Sequence, residues 1–158
     1  MTVEIVSAGA SLDAAADLER ECFPDPWSKE EMEAALRNPA FHCLGEIVDG
    51  KLVSYIMTSS ASDECEILNV AVKPEYRRRG IGESLLSKAL CRAEEKGATT
   101  VWLEVRESNA PAKALYEKLG FSKVGTRKNY YKKPVEDAVI MMCRLPLCHG
   151  DNDADPCN

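Results

Sequence analysis

The sequence contains no apolar run approaching the length of a membrane span, so no transmembrane helix is expected. Its first residues, Met1-Thr2-Val3-Glu4-Ile5, lack the basic-then-apolar order of a secretory leader, and the expected location is the cytoplasm. There is no CxxC and no ligand spacing of the zinc type, so no metal is expected. The seven cysteines (Cys22, Cys43, Cys65, Cys91, Cys143, Cys148 and Cys157) are odd in number and irregularly spaced. Cys43, Cys65, Cys91 and Cys143 fall within apolar patterns and read as small buried hydrophobes in a reducing compartment. Basic charge is also in deficit: the net charge of −6 argues against direct nucleic-acid binding. The acidic remainder serves equally to keep the protein in solution or to attract a basic acceptor.

The 158 residues suit one domain, with enough chain for a core that needs neither disulfide nor metal. Residues 1–147 carry the periodic segments, and the polar, acidic end from Cys148 to Asn158 reads as a disordered tail. Neither a repeat nor an internal linker interrupts the pattern. Thr2 to Ser7 alternates weakly as an edge strand. Ser11 to Cys22 has helical spacing, with Ser11 as cap and Leu12, Ala15, Leu18 and Cys22 on one face. After the breaker Phe23-Pro24-Asp25-Pro26-Trp27, Ser28 and Glu31 form a capping box for a second helix ending near Asn38-Pro39. Phe41–Val48 and Lys51–Ser59 read as strands joined at Asp49-Gly50. Glu66–Val72 is a nearly continuous apolar strand. A helix over Ile81–Lys96 stops at Gly97. A strand over Thr99–Val105 precedes a helix over Ala110–Leu119, capped by Ser108 or Asn109. Strands over Phe121–Tyr131 and Glu136–Leu145 complete the order β α α β β β α β α β β, a mixed sheet flanked by helices.

Against the acidic background, Arg77-Arg78-Arg79 stands out, followed by Gly80-Ile81-Gly82 at the start of a helix. Free N–H groups at a helix start attract anions, glycines let a phosphate close to the backbone, and arginines add forked donors. A Walker A loop fails because Glu83 follows Gly82; a dinucleotide fingerprint fails because Leu85 stands where its third glycine belongs. What remains is [Q/R]-x-x-G-x-[G/A], carried by Arg77, Gly80 and Gly82. On its own this pattern is also compatible with solvated arginines beside a turn.

The order of marks decides more. Glu66-Ile67-Leu68-Asn69-Val70-Ala71-Val72, the arginine-glycine loop, Trp102-Leu103-Glu104-Val105-Arg106, Asn109, Ala114-Leu115-Tyr116 and Leu119-Gly120-Phe121 occur in sequence. From about Phe23 to Arg144 the chain resembles the GNAT acetyltransferase superfamily. Pro26-Trp27-Ser28, Arg127-Lys128-Asn129-Tyr130-Tyr131 and Glu136-Asp137-Ala138 ahead of Met141 resemble its branch of bacterial N-acetyltransferases of ribosomal protein S18. The resemblance implies a GNAT fold with a single, mostly antiparallel mixed sheet, acetyl-CoA as co-substrate, and a protein N-terminus, that of ribosomal protein S18, as acceptor. It further implies that the backbone of Val70, Ala71 and Val72 pairs with the pantetheine arm. Arg77, Arg78, Arg79, Gly80, Ile81 and Gly82, with Glu83 following, would hold the pyrophosphate, and Asn109 would contact the cofactor arm. Glu104 matches the family's general base and Tyr116 its general acid. The tail to Asn158 runs beyond the usual end of the family.

The chemistry is consistent with these residue types. An α-amine (pKa about 7.7–8.0) loses its proton at neutral pH for about 1 kcal/mol, whereas lysine (about 10.4) needs nearly 5. A carboxylate, direct or through water, suffices for the first. Glu104, near its strand end, has as its other reading a surface carboxylate beside Arg106. Tyr116, seven residues after Asn109 and on the same helix face, is otherwise a core aromatic. Trp27, Tyr130 and Tyr131 divide evenly between lining an acceptor groove and simple packing. Lysine or small-amine acceptors, and a CoA-binding module without turnover, stand as alternatives to N-terminal acetylation.

Overall fold

The computed structural model describes residues 1–5 and 9–146. The tail with Cys148, His149 and Cys157, and Ser7 of the first strand, lie outside them. The elements are β1 (Thr2–Glu4), α1 (Ala10–Cys22), α2 (Lys29–Leu36), β2 (Phe41–Val48), β3 (Lys51–Ala61), β4 (Glu64–Val72), a 3-10 turn (Pro74–Tyr76), α3 (Ile81–Glu95), β5 (Thr100–Arg106), α4 (Ala110–Lys118), β6 (Ser122–Lys132) and β7 (Val135–Arg144). The strands are hydrogen-bonded in the order β1-β2-β3-β4-β5-β7-β6. Only β4–β5 is a parallel pair among those with described register. The fold is a mixed, mostly antiparallel sheet with helices, as expected.

The chain divides into two units, one of Met1–Ser59 with Leu68–Ala89, the other of Ser60–Ile67 with Leu90 and the residues after it. In the first unit, β1, β2 and β3 pair antiparallel. The hairpin turns at Asp49 (φ 49) and Gly50 (φ 74), both in the left-handed region that a two-residue turn of this kind demands. Leu12, Ala15, Ala16 and Leu18 of α1 pack with Met32 of α2, Cys43 of β2, Tyr55 and Met57 of β3, and Ala71 of β4. Helix α1 starts differently from the sequence reading. Gly9 (φ 104) opens it, its carbonyl accepting from the Leu12 and Asp13 N–H groups, and Ser11 lies inside. The reason is conformational: a glycine tolerates this entry angle without a side-chain cap. Helix α2 has the predicted box, in which Ser28 Oγ accepts from the Glu31 N–H and Glu31 from the Ser28 N–H.

In the second unit the first half of β4 pairs parallel with β5, β5 pairs antiparallel with β7, and β7 with β6. Strand β5 alternates in burial, with Val101, Leu103 and Val105 inward and Trp102, Glu104 and Arg106 on the other face. Strand β4 is less buried than its apolar run suggests. Cys65, Ile67 and Ala71 are buried, while Val70 and Val72 are half-exposed. Asn109 caps α4, its Oδ1 accepting from the Ala112 N–H.

Candidate active site

In the first unit, β4 leads through the Pro74–Tyr76 turn into α3. Arg78 (φ 62) and Gly80 (φ 77) both take left-handed backbone, and nothing lies within 4 Å of where a Cβ on Gly80 would stand. Helix α3 begins at once, the Ser84 N–H bonding to the Gly80 carbonyl. The N–H groups of Ile81 and Gly82 in its first turn have no carbonyl partner within the helix. Open backbone, helix start and arginines together fit an anionic pyrophosphate. The arginines divide the work. Arg77, though exposed, turns back along the strand, its Nε donating to the Val72 carbonyl at 3.0 Å and Nη2 reaching Cys22 Sγ at 3.8 Å. Arg79 stacks over the Tyr76 ring at 5.1 Å. The Ala71 carbonyl accepts from Ser54 Oγ at 2.8 Å, so the Ala71 and Val72 carbonyls both already carry a side-chain bond.

The second unit holds the polar cluster. Glu104 has a side chain 11% exposed, and its Oε1 is 2.6 Å from Arg127 Nε. Its partner is therefore Arg127, not Arg106. Arg106 instead meets Glu136 at 3.3 Å and donates to the Lys133 and Pro134 carbonyls, holding the β6–β7 turn. Glu136 also accepts from the Ser108 N–H, and these bonds hold its carboxyl below the usual range. Tyr130 and Tyr131 reach the cluster through a bulge. Arg127 stands opposite Ala138 and Tyr131 opposite Glu136, so four steps on β6 match two on β7. Asn129 (φ 51) makes the bend, its N–H bonded to Asp137 Oδ1 at 2.8 Å.

The bulge sets Tyr130 and Tyr131 edge to face at 5.1 Å, and the Arg106 guanidinium covers Tyr131 at 4.2 Å. A hydrogen bond to Glu104 is the main cause that pushes the Tyr130 phenol up to about 12. Burial, then the Glu104 charge, does the same for Tyr131. Tyr116 is buried, its ring 5.7 Å from Phe121, and burial lifts its phenol to about 12.

Two site residues carry little warning in the sequence. Arg127 is visible only as part of the run Arg127-Lys128-Asn129-Tyr130-Tyr131, its partner two strands away. Glu66 faces the same side as Trp102 and Glu104 through the parallel register Glu66↔Trp102. Burial, then the Glu104 charge, raises its carboxyl above the usual range, with Arg127 opposing. Trp27 is half-buried against the core of the first unit. Among the described residues no group of His, Cys, Asp and Glu could hold a metal, and no helix is long and apolar enough to cross a membrane.

Residues 12–121 match the family described as Acetyltransferase (GNAT) family, and the chain belongs to it: it is an acetyltransferase. Its relatives are narrower in kind. A protein of Bacillus subtilis (strain 168) is 41% identical over 131 residues, covering 82% of this chain and 87% of its own. The [ribosomal protein bS18]-alanine N-acetyltransferase of Escherichia coli (strain K12) is 39% identical over 138 residues, covering 86% and 91%. The crystal structure of the E. coli ribosomal-protein-S18-alanine N-acetyltransferase superposes with a TM-score of 0.83 at 34% identity, covering 98% of this chain and 100% of that one. Ard1 from Thermoplasma volcanium, at 24% identity and TM-score 0.82 over 91% of this chain and 96% of its own, shares the fold.

Proposed function

We propose that this protein acetylates the α-amine of a protein N-terminus, the N-terminal alanine of ribosomal protein S18, from acetyl-CoA in the cytoplasm. The observation that carries the proposal is the 39% identity, over nine-tenths of its length, with the E. coli enzyme named for that reaction. In this reading the pyrophosphate is held by the loop Arg77–Gly82, with Glu83 following. The backbone of Val70, Ala71 and Val72 takes the pantetheine arm, and Asn109 contacts it through the amide nitrogen that its cap leaves over. Glu104 receives the ammonium proton. The free amine attacks the thioester carbonyl, the carbon–sulfur bond breaks, Tyr116 donates to the departing sulfur, and the second proton that the nitrogen gives up as it becomes an amide replaces the one Tyr116 lost. A phenol held near 12 keeps its proton at neutral pH, and the burial that raises it raises the thiol beside it too. Trp27, Tyr130 and Tyr131 line the path of the acceptor's first residues. Residues 1–147 form the catalytic domain in this reading, with 148–158 outside it.

The test is thiol release from acetyl-CoA with a peptide copying the S18 N-terminus. Controls are the same peptide with a blocked α-amine, a lysine peptide, and Glu104→Gln. Release with the free peptide alone, much reduced in the variant, is expected. Release only with lysine or small amines overturns the acceptor and keeps the acetyltransferase.

A further inference from the structure

Glu19 is a buried group that the reaction scheme leaves unused. It lies on the apolar face of α1 with 1% exposure, beside Ala15 and Ala16 in helical spacing. Its Oε1 accepts two hydrogen bonds of 3.0 Å, from the Trp27 main-chain N–H and from Asn69 Nδ2 of β4. Its Oε2 is buried without a hydrogen-bond partner. Packing does not explain such a group, because leucine or methionine would fill the space without desolvating a carboxyl. What the carboxyl accomplishes is attachment. It ties α1 to the turn Phe23–Trp27 and to β4, one residue before Val70. Pro24 and Pro26 have no N–H to offer, which leaves the Trp27 N–H as the donor just ahead of the Ser28 cap.

We infer that Glu19 is a positioning residue for the acceptor: its Oε1 fixes the Trp27 turn to β4 and thereby sets the wall along which the acceptor's first side chains lie. The inference rests on Trp27 as an acceptor-binding residue. Glu19 itself touches no reacting atom. Burial pushes its carboxyl up to about 7, and the neutral acid, with the proton on Oε2, still offers Oε1 to both donors. Glu19→Gln keeps that acceptor and Glu19→Leu removes it at similar volume.

The test joins kinetics with the emission of Trp27, measured in a Trp102→Phe background where it is the only tryptophan. Glu19→Leu is expected to raise the KM for the S18 peptide about tenfold, with kcat and the KM for acetyl-CoA within about twofold. Its Trp27 emission shifts, and Glu19→Gln restores both readouts. Unchanged peptide KM and unchanged emission in Glu19→Leu overturn the inference. So do equal losses in kcat and both KM values, the mark of a merely structural role. If Glu19→Leu does not fold, Glu19→Met carries the same comparison. If the wild-type enzyme ignores the S18 peptide, the acceptor reading falls. The emission alone then decides the attachment of Trp27: a shift reversed by Glu19→Gln upholds it, and no shift removes it.

Discussion

Arg127 reaches Glu104 over the strand that separates them: its Nε lies 2.6 Å from Glu104 Oε1 although β7 runs between β6 and β5. The small side chain beneath makes this possible. Ala138, fully buried, stands opposite Arg127 on one side and Arg106 on the other. Two long cations thus flank a methyl group, and each turns to a different carboxylate, Glu104 or Glu136.

Glu104→Gln should lower kcat by about 10²-fold or more, the usual effect of losing a general base. It should also move a group that does no chemistry. The hydrogen bond and charge of Glu104 hold the Tyr130 phenol near 12; glutamine keeps an acceptor but removes the charge, so the phenol moves part of the way back toward the ordinary range of about 10. Ultraviolet titration of tyrosinate checks this, and an unmoved Tyr130 would break the link between the two residues.

Removing the cation should act in the opposite direction on the neighbouring carboxyl. Arg127 opposes the rise of Glu66, so Arg127→Met should drive Glu66 further above the usual carboxylate range. Carbon NMR of the labelled carboxyl reads it directly. Glu104 loses its fixed orientation in the same variant, and kcat/KM should fall about tenfold.

Tyr116 combines a ring that packs with a hydroxyl that donates. Tyr116→Phe should cut kcat by about 10²-fold and leave the melting temperature near the wild-type value. Tyr116→Ala empties the place beside Phe121 and should cost about 3–5 kcal/mol of stability. Equal kcat losses with wild-type stability in both would contradict the packing role.

Glu19 should tilt the stability profile. A carboxyl near 7 in the folded chain against 4.5 ordinarily binds its proton more tightly when folded. Its stabilising contribution is therefore complete below pH 4.5, declines as pH rises and is gone above about 7. The total is roughly 3 kcal/mol. Denaturant unfolding across this window should show a slope that Glu19→Gln removes; equal slopes in both proteins would exclude Glu19 as its source.

Local signals were legible in the sequence because they act over a few residues. The Ser28 box, the Asp49-Gly50 turn and the stop at Gly97 (φ 92) all stand where their residue types require. The site's partnerships were not legible, since they depend on register. Nothing near Glu104 in sequence points to Arg127, and Arg106 was the nearer partner by number alone. The turn of Arg77 back onto β4 depends on the Val72 carbonyl at the end of that strand. Glu19 left a trace, a charge placed on an apolar helix face, but what it holds comes from β4 and from a turn eight residues on. The start of α1 was misplaced because Ser11 is the better capping residue by type, while Gly9 has the backbone freedom the entry uses.

The bulge in β6 adds an even number of residues, two, between Arg127 and Tyr131 relative to β7. Parity along the strand is therefore conserved: Tyr131 emerges on the side that Arg127 left, the side shared with Arg106 and Glu104. A double deletion in Lys128-Asn129-Tyr130 would keep the side and lose the bend. The same strand takes up a single extra residue, Val124, between Lys123 and Gly125, so it is the pairing of Tyr131 with Glu136, rather than strand length, that holds the tyrosine on this side.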